Sequence, residues 1–187
     1  MKTILSLLFV LQTALMFSQN SKVIPGDKAI VYFTRASALG GAINFTYFDG
    51  EKAIGRFNGP KYMIYECDPG EHLFWVRSEN KSFVEANLEA GKMYIIDVIP
   101  KMGAIKASVK LVPVDKNIYK MKKIQKLLSK RGPEPFSESE LNMLQEEMKD
   151  VIDRGMENYK KTQSKGKKIP ELNPDMTIDN DDLLYIK

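Results

Sequence analysis

The hydrophobic period of this chain changes once, near Val114, and that change limits what it can build. From Lys28 to Val114 apolar and polar residues come in short runs divided by Gly, Pro, Asn and Asp, the pattern of strands and turns. "AIVYFT" (29–34) is almost wholly apolar, as a well-buried strand is. "AINFTYF" (42–48) alternates, with Ile43, Phe45 and Tyr47 on one face and Asn44 and Thr46 on the other. The Asp-Gly pair at 49–50 is a hairpin signal, and "KAIGRF" (52–57) follows it. Further strands are predicted over 61–66, 72–78, 82–89, 92–99 and 104–112, the last with Ile105, Ala107, Val109 and Leu111 facing inward. Short strands at this spacing predict an antiparallel sandwich.

After Val114 the period is helical. Ile118, Met121, Ile124, Leu127 and Leu128 share one side of residues 117–130. "PFSESEL" then opens a second helix. Ser137 stands three residues before Glu140, the spacing of a capping box, with Phe136 and Leu141 placed as a staple. Leu141, Leu144, Met148, Val151, Ile152 and Tyr159 form its apolar face, and Gly166 ends it. The expected fold is therefore mainly β, an antiparallel β-sandwich of about eight strands followed by a C-terminal helical pair and an irregular acidic tail. The predicted boundaries are 28–115 for the sandwich, 116–165 for the helices and 166–187 for the tail.

The N-terminus reads as a signal peptide over 1–18. Lys2 precedes an uncharged, mostly apolar run from Thr3 to Phe17, and Ser18, Gln19 and Asn20 supply the polar end. The run is shorter than the roughly 20 residues of a membrane span, so the cleaved protein is not expected to be integral to a membrane. Residues 19–27 form a linker. The expected location is outside the cytoplasm, in the periplasm, at the cell surface or secreted. With one cysteine, no intrachain disulfide can form there. Charge is uneven: residues 116–131 carry six Lys, one Arg and no acid, whereas 171–187 carry five acids and one Lys. Such segments are usually solvated faces or tails. A nucleic-acid partner is not expected for an exported chain, and a contact between the basic helix and the acidic tail stays open.

"YECDPGEHLFWV" (65–76) holds the chain's single cysteine, Cys67, its single histidine, His72, and its single tryptophan, Trp75. "DPGE" reads as a turn, with Pro69 presetting one φ and Gly70 free to take a positive one. If it closes a hairpin, Cys67 and His72 face each other with Cβ atoms about 5 Å apart. A cysteine nucleophile also needs an oriented base and oxyanion donors. No helix N-terminus is predicted beside Cys67, and Asp68 or Glu71 reaches His72 only by folding back. A Cys–His hydrolase is thus a remote alternative, and a non-enzymatic role is expected. One Cys and one His do not make a zinc site, the acids of 175–182 lack a calcium-loop glycine, and no phosphate loop, G-x-S-x-G or H-E-x-x-H occurs. No cofactor is expected.

The remaining candidates are aromatic. Tyr62 and Tyr65 have opposite strand parity, as do Phe74 and Trp75. Either some rings are exposed or both faces of the strands are covered. Exposed Trp75, Tyr62 and Tyr65 would form a ligand site, stacking on a glycan or holding a peptide.

"KAIVYFTRAS", "KAIGRF", "YECDPGEH", "LEAGKMYII", "KMG" (101–103) and "VKLVPVD", in that order, resemble a family of bacterial envelope domains of unknown function, many of them small lipoproteins or exported proteins. The resemblance covers residues 28–115. Its "PGEH" and "EAGK-x-Y" turns are also similar to PEGA-type and carboxypeptidase-regulatory-like sandwiches. It implies a β-sandwich at the cell envelope, with an envelope protein or a glycan as partner, and it brings no catalytic residues. The chain departs from the lipoprotein members in lacking a lipid-site cysteine. The ending "FSQ" of the apolar run looks like exported proteins of the Bacteroidota.

Overall fold

The computed structural model describes residues 25–102 and 107–184. The expected signal peptide 1–18, most of the linker 19–27 and the end of the strand predicted over 104–112 that carries Ile105 lie outside the described residues. Eight main strands follow in order: β1 (Ala29–Arg35), β2 (Phe45–Asp49), β3 (Lys52–Phe57), β4 (Lys61–Cys67), β5 (Gly70–Arg77), β6 (Lys81–Leu88), β7 (Met93–Met102) and β8 (Ala107–Pro113). Two helices come next, α1 (Lys122–Lys130) and α2 (Glu138–Ser164), then a two-residue strand β9 (Glu171–Leu172) and a 3₁₀ turn (Asp181–Leu183).

The strands form two sheets. The first has the order β4-β1-β7-β8 and the second β3-β2-β5-β6-β9. Most pairs are antiparallel, as expected for the sandwich, while β1 pairs with β7 and β6 with β9 in parallel. The chain leaves the first sheet after β1, builds the β2–β3 hairpin in the second, and keeps alternating. Two strands that enter the first sheet from the same end therefore become parallel neighbours.

Both faces of each sheet are covered. Between the sheets lie Val31, Phe33, Tyr47, Phe74, Val76, Tyr94 and Leu111. On the outer face of the first sheet, Ile30, Tyr32, Tyr62 and Ile95 pack with Ile124 and Leu127 of α1. On the outer face of the second, Phe48, Trp75 and Phe83 pack with Leu144, Met148, Val151 and Ile152 of α2. The result is four layers, helix on sheet on sheet on helix. That explains the continuous apolar run of β1, whose alternate residues enter two different clusters. Each helix buries its apolar stripe on its own protein.

The Ser137–Glu140 capping box is formed. Glu140 N–H donates to Ser137 Oγ at 3.2 Å and Ser137 N–H donates to the Glu140 carboxylate at 2.8 Å. α1 begins later than its apolar period predicts. Asp115 captures the backbone N–H groups of Asn117, Ile118 and Tyr119 in a local turn, which delays the helix.

The C-terminal segment has little regular structure, yet it is packed along its length. Ile169 enters the cluster under α2, Leu172 the cluster between the sheets, and Ile178 the cluster under α1. Ile178 also bridges to Met93 of β7. The acidic end reaches the basic segment, where Lys116 Nζ lies 3.1 Å from Asp179 and 2.7 Å from Asp182. The segment is a strap across the sandwich, not a free solubilising tail.

Arg35 is fully buried (0 % exposed), with no carboxylate partner among the described residues. Its guanidinium donates to the carbonyls of Leu39, Gly40 and Ile43 and lies 4.0 Å above the Phe45 ring. Gly40, at φ 61°, lets the loop turn its carbonyls onto that one cation.

Gly155 of α2 sits on the Trp75 ring, and a Cβ there would come 2.5 Å from Trp75 Cη2. Gly155→Ala is expected to destabilise by about 1–3 kcal/mol from overpacking, outweighing a helix-propensity gain of about 1 kcal/mol. A thermal melt that stays put or rises would contradict this packing. A chain ending at residue 115 is expected to aggregate or unfold, because it exposes two outer sheet faces at once. Recovery of that fragment as a soluble, cooperatively melting monomer would show that the helices are dispensable.

Candidate functional site

Cys67 and His72 do not face each other across a hairpin. β4 belongs to the first sheet and β5 to the second, so Asp68 and Pro69 carry the chain from one sheet to the other. Gly70 does take a positive φ, 117°, at the start of β5. His72 is held from both sides. Its Nδ1 lies 2.8 Å from Asp49 Oδ2 at the end of β2, and its Nε2 lies 2.8 Å from the Asp68 carbonyl. Tyr65 of β4 donates to the same Asp49 oxygen at 3.1 Å. The ring lies nearly parallel to Phe74, with 4° between the planes.

Two acceptors for two ring nitrogens favour the doubly protonated imidazolium. The bond to Asp49 is the main cause that lifts the His72 pKa to about 10, with the neighbouring Cys67 side chain second and burial opposing. Burial, then the Asp49 charge, pushes the Tyr65 hydroxyl up as well. The Cys67 sulfur is buried and lies 3.9 Å from the Ala29 carbonyl. Asp49, Tyr65 and His72 together join β2, β4 and β5 through one hydrogen-bonded knot.

The aromatic candidates lie inside. Trp75 is 0 % exposed, stacked on Phe48 with centroids 3.8 Å apart, and its Nε1 donates to the Gly50 carbonyl at 2.8 Å. Tyr62 is 7 % exposed and stacked beside Tyr32 under α1. Tyr65 is half-buried against the core between the sheets. The structure does not bring the three together on one surface, and Trp75 and Tyr62 offer no open ring face for stacking. Among the described residues no three His, Cys, Asp or Glu side chains gather as a metal site, and no helix is long and apolar enough to cross a membrane.

An open cleft lies elsewhere, beside the start of α1. It has a volume of about 680 Å³ and is walled by Ala36, Val98, Ile99, Ile118, Tyr119 and Ile124. At its base Asp97 of β7 is almost buried. Tyr119 Oη donates to Asp97 Oδ2 at 2.5 Å, and Thr34 Oγ1 donates to Oδ1 at 3.0 Å. Burial raises the Asp97 pKa, with those two hydrogen bonds opposing it. The Asp115 turn leaves Ile118 84 % exposed at the rim. Lys120, Lys122 and Lys123 line the same cleft, and with Lys126, Lys130 and Arg131 further along the segment they are exposed and make no salt bridge among the described residues. The acid-free run 116–131 carried the signal for this surface. Asp97 gave none, because its burial comes from α1 folding back over β7.

Comparison of the chain with protein-family models, with curated proteins and with solved structures gives no match. The resemblance drawn from the ordered motifs of residues 28–115 therefore rests on those motifs alone.

With one histidine in the chain, the knot can be read directly. The His72 ring signals in NMR are expected to titrate near pH 10, far above the ordinary 6.5. Because the folded pKa lies above the unfolded one, the stabilisation is full below about pH 6.5 and is lost as pH rises toward 10, an effect on the order of a few kcal/mol. Urea midpoints should fall over that range in the native chain, and Asp49→Asn should flatten the slope. A His72 titration near 6.5 would show that the ring is not held as a cation.

Proposed function

We propose that the protein is an exported, non-enzymatic β-sandwich module that binds at the bacterial envelope, docking through α1 onto an anionic membrane surface. The observation that carries this reading is the α1 rim, where unpaired cations surround one strongly exposed isoleucine above an apolar cleft. The apolar face of α1 is already spent on the first sheet, so what it presents outward is charge. Each Lys or Arg near an anionic leaflet contributes about 1 kcal/mol, and burying Ile118 adds about 2 kcal/mol. The sum describes a reversible peripheral contact. The signal-like N-terminus and the motif resemblance support an envelope location. A glycan or peptide site built on Trp75 loses its main support with the burial of that ring.

Vesicle sedimentation tests the proposal. The protein is expected to pellet with phosphatidylglycerol-containing vesicles at low salt and to stay in solution with pure phosphatidylcholine. The Lys122→Glu/Lys123→Glu double variant should reverse four units of surface charge and weaken binding by more than about tenfold. Ile118→Asp should weaken it without lowering the melting temperature. Equal affinity for neutral vesicles, or no binding to anionic ones, would overturn the reading.

A further inference from the structure

A second cationic site lies on the opposite face of the sandwich, beside α2. Arg77 ends β5 and Lys81 begins β6, and the two are directly paired across the turn between these strands. Like charges in directly opposed positions destabilise a hairpin. Arg154 of α2 comes to the same groove, which has a volume of about 580 Å³ and rests on Phe83 and Val151. Burial lowers the proton affinity of Lys81, and the charges of Arg154 and Arg77 lower it further. None of the three cations makes a salt bridge among the described residues. Glu79 of the turn lines the groove without pairing to them, and Glu147, whose charge reaches Arg77, is held by Arg56 at 2.9 Å through both oxygens.

Three mutually repelling cations in one polar groove call for an anion carrying more than one charge. The groove also offers uncharged polar groups. Asn158 uses its Nδ2 on the Arg154 carbonyl, which leaves its Oδ1 as an acceptor, and the Thr162 hydroxyl stands beside it. Asn80 is already committed to both backbone groups of Val109. Acceptors next to a cationic cluster suit hydroxyl groups attached to an anion. We propose that this groove binds a phosphoryl group on a sugar, with Arg77, Lys81 and Arg154 around the phosphoryl oxygens and Asn158 and Thr162 receiving sugar hydroxyls. Arginine in particular grips such oxygens in pairs. The site is independent of the α1 surface, which lies across both sheets from it.

Calorimetric titration in phosphate-free buffer, with glucose 6-phosphate, inorganic phosphate and glucose as probes, tests the inference. Glucose 6-phosphate is expected to bind, inorganic phosphate to bind more weakly, and glucose not at all. Equal affinity for the two phosphates would keep the phosphoryl site and make free phosphate its ligand. Lys81→Gln and Arg154→Gln should each weaken binding by about tenfold or more, while their melting temperatures hold or rise because repulsion is relieved. Ile118→Asp should bind the probe unchanged. No heat with either phosphate, or full affinity in both groove variants, would overturn the assignment.

Discussion

Every central strand of this protein has to be covered on two sides. The sandwich interior can satisfy only one face of each sheet, yet β1, β2, β5 and β7 carry apolar side chains on both. A two-layer sandwich of this sequence would leave Tyr32, Ile95, Phe48 and Trp75 in water. The helices follow from that requirement: α1 takes one outer face and α2 the other. The contacts beyond them satisfy strand edges. Gln145 of α2 accepts from Ala53 N–H and donates to the Glu51 carbonyl at the β3 edge. Glu134 N–H, between the helices, donates to the Tyr62 carbonyl at the β4 edge. Asn80 and Ser82 bond to the backbone of β8.

Much of this was legible in local pattern. Period-two runs located the eight strands, and the Ser137–Glu140 spacing located the start of α2 to the residue. Opposite parities at Tyr62/Tyr65 and Phe74/Trp75 already required two covered faces, and the structure shows helices doing the covering. What local pattern lacks is sheet membership. "DPGE" has the composition of a hairpin turn, but an identical turn can step between layers, and only long-range pairing decides between them. The same gap hid the partner of His72. Asp49 lies 23 residues away, and it meets the ring only because β2 and β5 are neighbours. The tail misled for a different reason. Its acids suggested solvation, while three widely spaced isoleucine and leucine residues, too few to show a period, do the packing.

The stretch that gathers the chain's rare residues is therefore a joint, with its histidine held as a fixed charge and its tryptophan as filling. The two proposed contact surfaces lie instead where the helices meet the sheet margins, and in both cases the mark is a group of cations that make no salt bridge among the described residues. α1 and α2 occupy opposite outer layers, so the two surfaces can be engaged at once. In the four-layer arrangement the helices cover the two outer sheet faces, each with an apolar inner stripe and a charged outer one.

The C-terminal strap has a consequence for how the molecule comes into being. Its three apolar contacts close three separate clusters, and all come from residues that follow β1–β8 and both helices in the chain. β1 likewise waits for β7, more than sixty positions later, before it has both neighbours. Hairpins can form from local sequence, but none of the three cores is complete until residues 169–178 have docked. The strap is thus a single late closure shared by three clusters, and losing it would open all three at once.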